Sequence, residues 1–143
     1  MVLVDGEGTP LGVHLDSASP SEIRLLAQTL DNIAVGRTHR AGRPRKRPER
    51  LILDRGYDSN RLRKELLRRG IEPIIPRTRR HPNATHQDRR RLRRYRRRWV
   101  VERTIAWLQN FRRLFVRYER LLTMFAGFLH MACALLTLRR VLK

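Results

Sequence analysis

The stretch that most constrains the fold is predicted to form one continuous helix around a single acid. It reads YRRRWVVERTIAWLQ and contains neither proline nor glycine, while arginine, leucine and alanine favour helix. Most of its circumference is apolar, which predicts a largely buried helix. At ~100° per residue, four side chains fall within roughly 60° of one another: Tyr95, Arg98, Glu102 and Gln109.

Glu102 is therefore predicted to be a carboxylate on a mostly buried helix. A buried carboxylate is costly unless it is paired with a cation or binds a metal. One interpretation is an ion pair with Arg98 or Arg103 at helix spacing. The other is a metal ligand that acts on nucleic acid. The helix alone leaves both open.

The charge of the chain indicates a polyanionic partner. The 143 residues carry 33 Lys and Arg against 13 Asp and Glu, a formal net charge of +20, and residues 77–98 contain eleven arginines and one acid. Such a run repels itself unless phosphates neutralise it, which favours nucleic acid, with an anionic membrane surface as the alternative. Apolar residues make up 41% of the chain, which favours a folded core over a disordered basic tail.

A second acid stands at the end of a predicted strand. The apolar run from Leu51 to Leu53 predicts a buried strand that ends at Asp54. In open α/β sheets, sites gather at the carboxyl ends of strands, although Asp54 could instead only cap the turn. Asp58 is predicted to be the N-cap of the following helix.

The order of predicted elements is typical of the α/β class in about one domain. Asp5-Gly6 predicts a hairpin turn, and Ser19 is the predicted N-cap of the first helix. The last helix is long enough to span a membrane, but His130 and two threonines favour a buried core helix. The predicted segments are a hairpin (1–16), a helix (19–35), a basic loop (37–50), a strand–helix–strand unit (50–76), the Arg-rich segment with the Glu-bearing helix (77–118, with its helical start near Thr85 to Asp88) and an apolar helix (121–141).

Asp54 and Glu102 are predicted to converge at one edge of the sheet. Acidic oxygens are the ligands that Mg²⁺ prefers. Two such ions roughly 4 Å apart can activate a nucleophile and stabilise the leaving oxygen of a phosphodiester. No histidine spacing typical of a metal site and no glycine-rich phosphate loop occurs in the sequence, and a single cysteine, Cys133, excludes an internal disulfide.

At these residues the sequence resembles a DDE transposase of a bacterial insertion sequence, in the group named for insertion sequence five. LILDRGYDS resembles the motif of the second catalytic Asp, here Asp54. RRYRRRWVVERTIAWLQNFRRL resembles the Y-x2-R-x3-E signature, with Tyr95, Arg98 and Glu102 in place. VDGEGTPLGVHLDSASPSE resembles the hairpin and helix between the first two catalytic acids. Together the three segments cover most of the chain.

The resemblance implies an RNase H-like (retroviral-integrase-like) mixed sheet with flanking helices. It implies strand cutting and transfer that depend on Mg²⁺ or Mn²⁺, with Asp54 and Glu102 as catalytic metal ligands. The implied partner is double-stranded DNA, at element ends and target, and a homodimer is compatible; no membrane is implied, and the location is the cytoplasm, on the bacterial nucleoid. The residues expected to bind DNA or support the site are Tyr95, Arg98, Arg94, Arg97 and Gln109.

Two departures from the family pattern shape the expectation for function. Gln109 stands where related signatures carry Lys. The first catalytic Asp of the family lies on a strand preceding the hairpin with which this sequence opens. We therefore expect the C-terminal part of a transposase, either joined to an upstream frame product by frameshifting or a remnant, and inactive and poorly folded alone. The alternative is a non-catalytic Arg-rich nucleic-acid-binding module or a transposase inhibitor.

Overall fold

The computed structural model describes residues 1–16, 22–35, 42–78 and 92–142. Short strands alternate with helices, and there are two 3₁₀ segments: the first follows Asp54 directly, and the second contains Tyr95 and Arg98. In chain order the elements are β1 (Val2–Val4), β2 (Pro10–Val13), α1 (Glu22–Asp31), β3 (Arg50–Ile52), a first 3₁₀ turn (Arg55–Tyr57), α2 (Asn60–Arg68), β4 (Glu72–Ile74), a second 3₁₀ helix (Arg93–Arg98), α3 (Trp99–Gln109), α4 (Arg112–Phe115) and α5 (Leu122–Val141).

The predicted N-terminal hairpin is present. β1 and β2 pair antiparallel, with Val2 opposite Val13 and an irregular register after Leu3. The Asp5 carboxylate closes the turn, because its Oδ1 accepts from the backbone N–H groups of Glu7 and Thr9, each at 2.8 Å. Asp5 is therefore a turn residue, as the Asp-Gly pattern indicates.

The second strand pair is parallel and is connected by α2. Arg50 lies opposite Glu72 and Ile52 opposite Ile74. Pro73 is tolerated inside β4 because the described residues place no strand on the other side of β4. In the described part of the chain the two pairs form separate two-stranded sheets. The structure thus confirms a mixed α/β class, while a single RNase H-like sheet stays a prediction.

Two apolar clusters lie on opposite faces of the hairpin. Leu3 packs against a core built from α1, β3, α2 and the two isoleucines that flank β4. Val2 and Val13 pack against a second core that contains Leu108 of α3 and Leu129 of α5. Because successive strand side chains point to opposite faces, β1 contributes to both clusters. The hairpin therefore links the half that carries Asp54 to the half that carries Glu102.

Some predicted boundaries differ from the structure or lie outside it. α1 ends at Asp31, four residues before the predicted end at residue 35, and residues 32–35 form a turn and a single bridge between Val35 and Arg45. The predicted cap Ser19 and the helical start between Thr85 and Asp88 lie outside the described residues.

The prediction of a largely buried α3 is wrong. Only Val100, Thr104 and Leu108 are buried, at a spacing of four residues that defines one narrow face. The hairpin and α5 cover that face, while Trp99 and Ile105 are exposed. Apolar composition indicated burial all round, but the described residues place neighbours on one side of the helix only. Glu102 is accordingly solvent-exposed rather than buried.

α5 is long and apolar enough to cross a membrane by length and composition. One face packs into the second core through Leu129, Ala132, Cys133 and Leu136, and burial raises the pKa of the Cys133 thiol. The prediction of a buried core helix is only partly correct, because another face is open and apolar: Met124, Met131, Leu135, Leu138 and Val141 are exposed.

Gly8 is expected to be required for the contact between the hairpin and α3. Its φ is +92°, and an added Cβ would lie 2.6 Å from Thr104 Oγ1. Gly8→Ala should therefore lower the free energy of unfolding by about 1–3 kcal/mol, measured by urea denaturation. Gly56→Ala is the matched control, because nothing lies within 4 Å of its added Cβ. Equal unfolding midpoints for the two variants would contradict the expectation.

Candidate active site

Asp54 lies directly beyond the last hydrogen bond between β3 and β4. The N–H of Leu53 donates to the carbonyl of Ile74 at 3.1 Å, and the chain then turns into the first 3₁₀ segment. Asp54 Oδ1 accepts from the N–H of Arg55 at 2.6 Å. Asp54 therefore caps the turn, and this cap also fixes the carboxylate at the carboxyl end of the strand.

The second 3₁₀ helix and α3 bring three further predicted side chains to Asp54. The Tyr95 hydroxyl donates to Asp54 Oδ1 at 2.9 Å. Arg98 Nη1 lies 2.8 Å from Asp54 Oδ2, and its Nη2 lies 3.0 Å from Glu102 Oε1. One guanidinium thus bridges two carboxylates that are distant in sequence. The spacing of Tyr95, Arg98 and Glu102 indicated this grouping, although Tyr95 and Arg98 lie on a 3₁₀ helix and not on the predicted continuous α-helix.

The electrostatics of the cluster keep Asp54 ionised and Tyr95 protonated. The N–H of Arg55, then the Tyr95 hydroxyl, hold the pKa of Asp54 below its usual range, and the charge of Arg98 adds to the effect. Partial burial and the hydrogen bond to Asp54 raise the pKa of Tyr95. The side chains of Asp54 and Glu102 are 51% and 59% exposed, so both carboxylates are open to solvent.

The other predicted site residues lie outside this cluster. Arg97 donates to the carbonyl of Gly6 at 2.8 Å and so contacts the hairpin turn rather than the acids. Arg94 is exposed on the second 3₁₀ helix. Gln109 is exposed at the far end of α3, seven residues or ~10 Å along the helix axis from Glu102.

Sequence reasoning missed the residues that position α3. The buried hydroxyl of Thr104 donates to the carbonyl of Gly8 at 2.8 Å and is also 3.1 Å from the carbonyl of Val100. Arg103 Nη2 donates to the carbonyl of Glu7 at 2.7 Å. Arg97, Arg103 and Thr104 therefore donate to three successive carbonyls of the hairpin turn. The sequence signal for this contact was the Gly6-Glu7-Gly8 turn, because glycine permits the close approach of the turn backbone to a helix.

The predicted role of Asp58 is wrong. Ser59 is the N-cap of α2, without a side-chain cap bond. The Asp58 side chain is 2% exposed and lies 2.7 Å from Arg63 Nη2. Its Oδ2 accepts from the N–H and hydroxyl of Thr78 at 2.7 and 2.8 Å. Burial alone would raise its pKa, but the Thr78 and Arg63 hydrogen bonds outweigh burial and lower the pKa to about 2.

Asp54 and Glu102 have the chemistry of ligands for a hard divalent cation. Their carboxylates converge on one positive group, so the Arg98 guanidinium stands in for a cation between them. Mg²⁺ is commonly bound through one or two carboxylates with water completing its coordination, which suits solvent-exposed side chains. Among the residues that the structure describes, no cluster of three or more His, Cys, Asp or Glu is arranged for a metal. The two carboxylates therefore fit a divalent cation as a partial ligand set.

Comparison with known families decides the assignment. The family model described as the transposase DDE domain matches residues 1–137, a range that includes Asp54, Tyr95, Arg98 and Glu102. The chain belongs to the DDE transposase family. It is 42% identical over 142 residues to a Burkholderia cepacia protein named as a transposase for insertion sequence element IS402. No solved structure matches the chain significantly.

The match to the IS402 protein covers 97% of this chain and 63% of the relative's length. The resemblance to insertion-sequence DDE transposases is thereby confirmed, and the group of insertion sequence five is compatible with it. Because the chain spans less than two thirds of that relative, the activity of a whole transposase is a separate question from family membership.

Proposed function

We propose that this chain serves in DNA transposition as the C-terminal part of a catalytic centre that cuts and joins DNA strands at insertion-sequence ends. The observation that carries the proposal is the bridge from Arg98 to both Asp54 and Glu102. Two acids on distant elements contact the same guanidinium on a chain of net charge +20. A phosphodiester-cutting site combines these features, because arginines neutralise the DNA backbone while carboxylates hold a divalent cation.

Asp54 and Glu102 are the proposed ligands for Mg²⁺ or Mn²⁺, and the family generally uses divalent metal ions. When bound, the metal would activate water or a DNA 3′-hydroxyl and stabilise the leaving oxygen. The Tyr95 hydroxyl and the N–H of Arg55 both donate to Asp54 Oδ1 and so orient its carboxylate. Tyr95 is thus a positioning residue.

Arg98 contacts the same carboxylates that a divalent cation would use. The guanidinium and the cation therefore compete for these carboxylates. Arg98 also offsets the repulsion between the two acids, which favours their approach before any cation arrives. A guanidinium released from one carboxylate has donors free for a phosphate oxygen, which it binds in bidentate fashion.

The proposed partner is double-stranded DNA, at element ends and target. Arg93, Arg94 and Arg96 are exposed on the 3₁₀ helix that also carries Tyr95 and Arg98. Each phosphate neutralised by such a side chain releases counterions, so binding should weaken steeply with salt. The arginines would hold the backbone beside the acids.

An RNase H-like sheet is part of the proposal. The described residues pair β1 and β3 on one side only, and one strand between them would join the two pairs into a single mixed sheet. In the family that strand carries the first catalytic Asp, so we propose that these 143 residues are inactive without a strand that supplies it. A homodimer and a location on the bacterial nucleoid also stay predictions.

Strand cleavage by the complete protein tests the proposal. A transposase with the upstream part joined to this chain is incubated with a labelled element-end duplex. We expect 3′-hydroxyl products with Mg²⁺ or Mn²⁺ and none with Ca²⁺ or a chelator, while the present chain alone binds the duplex without cutting it. Robust cleavage by the chain alone would overturn the claim of inactivity, and no cleavage by the complete protein would overturn the catalytic role.

The second candidate function is an Arg-rich nucleic-acid-binding module that inhibits a transposase. The pairing of both acids with Arg98 favours it, because it gives them a role without a metal. The variant Asp54→Asn in the complete protein distinguishes the two functions. The catalytic function predicts loss of cleavage with DNA binding kept, whereas the module predicts little change. Asp31→Asn, which alters an exposed acid elsewhere, is the control.

A further inference from the structure

The helix α2 carries a basic face that points away from the core. Arg61, Lys64 and Arg68 are exposed, and at ~100° per residue they fall within roughly 60° of one another. Leu62 and Leu66 are buried on the other side of the helix. We call these three exposed basic residues the α2 basic face.

The α2 basic face differs from the other two arginines of this segment in having no partner within the chain. Arg63 pairs with Asp58, and Arg69 pairs with Asp31. Among the residues that the structure describes, the three side chains of the α2 basic face make no hydrogen bond and no ion pair. Their charges therefore remain available to a ligand.

The arrangement of the α2 basic face is unfavourable for an isolated helix. Arg61 lies in the first turn, which contains no acid, and a positive charge there opposes the helix macrodipole. Lys64 stands three residues after Arg61 and four before Arg68, so each neighbouring pair of like charges repels. A local rule that is broken without a gain inside the fold is typical of a functional surface.

The α2 basic face leads away from the candidate active site. Two parallel strands need a connection that returns to the edge where the first strand began, so α2 runs opposite to β3. Its first turn therefore lies at the edge that carries Asp54, and its last turn lies at the opposite edge. Arg47 extends the positive charge beyond that last turn, because its exposed side chain donates to the carbonyl of Arg69 at 3.0 Å.

We propose that the α2 basic face binds the phosphate backbone of the duplex that leads away from the phosphodiester at Asp54. This inference rests on the proposed function and adds a second contact surface to the arginines of the second 3₁₀ helix. From residue 61 to residue 68 the face spans ~10 Å along the helix axis. One strand of DNA carries a charge every ~3.4 Å, so this length matches about three phosphates. Contacts with phosphates hold the duplex without reading its sequence.

Salt dependence of binding tests this surface. The full chain, in chelator, is titrated with a blunt duplex of about thirty base pairs at several salt concentrations. One variant replaces all three residues of the α2 basic face with Gln. The charge-matched control replaces three exposed arginines outside α2, namely Arg24→Gln, Arg120→Gln and Arg139→Gln.

We expect the α2 variant to lower the slope of log affinity against log salt by about 2 to 3, and to weaken binding at about 0.1 M salt about thirtyfold or more. The control should change the slope by less than about 1 and the affinity by less than about threefold. The α2 variant should not unfold at lower urea than wild type, because it removes repulsion between like charges.

A crosslinking experiment tests the position of the DNA directly. A photoreactive group is attached to Lys64→Cys or, as the control, to Arg24→Cys. The label is selective because the native Cys133 is buried. We expect the group at position 64 to crosslink to the duplex and the group at position 24 to leave it unlabelled.

The outcomes separate this surface from the proposed function. Equal loss of affinity in both triple variants would mean that only total charge matters and would overturn the α2 contact, as would no loss in the α2 variant. Failure of the wild-type chain to bind the duplex would overturn both the α2 contact and the DNA partner. Absence of cleavage by the complete protein, with the difference in salt slope intact, would overturn the catalytic role and leave the α2 contact standing.

Discussion

Replacing Glu102 with Gln should reduce strand cleavage by the complete transposase about a thousandfold or more, while DNA affinity stays within about threefold. Gln keeps the shape of the side chain but removes the charge that a hard divalent cation requires. A thousandfold corresponds to about 4 kcal/mol of lost transition-state stabilisation. The fold should be unaffected, because the Glu102 side chain is 59% exposed and Arg98 keeps its contact with Asp54.

The measurement compares single-turnover cleavage rates with affinities from filter binding at one salt concentration. Glu65→Gln is the matched control, since it removes the same charge from another helical, partly exposed i,i+4 pair, with Arg69. It should leave the cleavage rate within about twofold. Cleavage by Glu102→Gln at the wild-type rate would exclude Glu102 as a metal ligand and favour the nucleic-acid-binding module.

The grouping of Asp54, Tyr95, Arg98 and Glu102 could be predicted because it depends on local rules. A strand end places one acid at an edge of a sheet, and helical spacing places the other three on one face. The structure has these four side chains in contact. What such rules cannot supply is which faces of a helix find neighbours. For this reason α3 was expected to be largely buried, whereas Glu102 is exposed to solvent in the structure.

The arginines show a second limit of the sequence. Arg97 stands in the basic run that indicated phosphate contacts, and Arg103 was a candidate partner of Glu102, yet both donate to backbone carbonyls of the hairpin turn. Arg140 of α5 also donates to the carbonyl of Glu7. Carbonyls in a tight turn need donors as much as phosphates do. Charge counts alone cannot distinguish these uses, because the partner carbonyls lie about ninety positions away or more.

Asp58→Asn should lower the free energy of unfolding by about 3 kcal/mol at pH 7. The substitution leaves the mostly buried Arg63 without its ionic partner, and breaking one member of a buried pair is costly. Asp58 also ties the segment after Asp54 to the end of β4, since it binds Thr78 while Arg63 binds the carbonyl of Ile75. Asp31→Asn is the control, because Asp31 is 69% exposed and its pair with Arg69 should contribute little.

The Asp58 carboxylate should make the difference in unfolding free energy between wild type and Asp58→Asn depend on pH. Its pKa is about 2 in the folded chain and ~3.9 when unfolded. A pKa depressed by folding gives stability that is present above pH ~4 and is lost as pH falls toward 2. Urea denaturation at pH 7, 5, 4 and 3 should therefore show wild type and Asp58→Asn converging only below pH 4. A gap that stays constant to pH 2.5 would mean that the carboxylate charge does not hold this segment. In that case the placement of Asp54 would depend on its own turn and on Tyr95 instead.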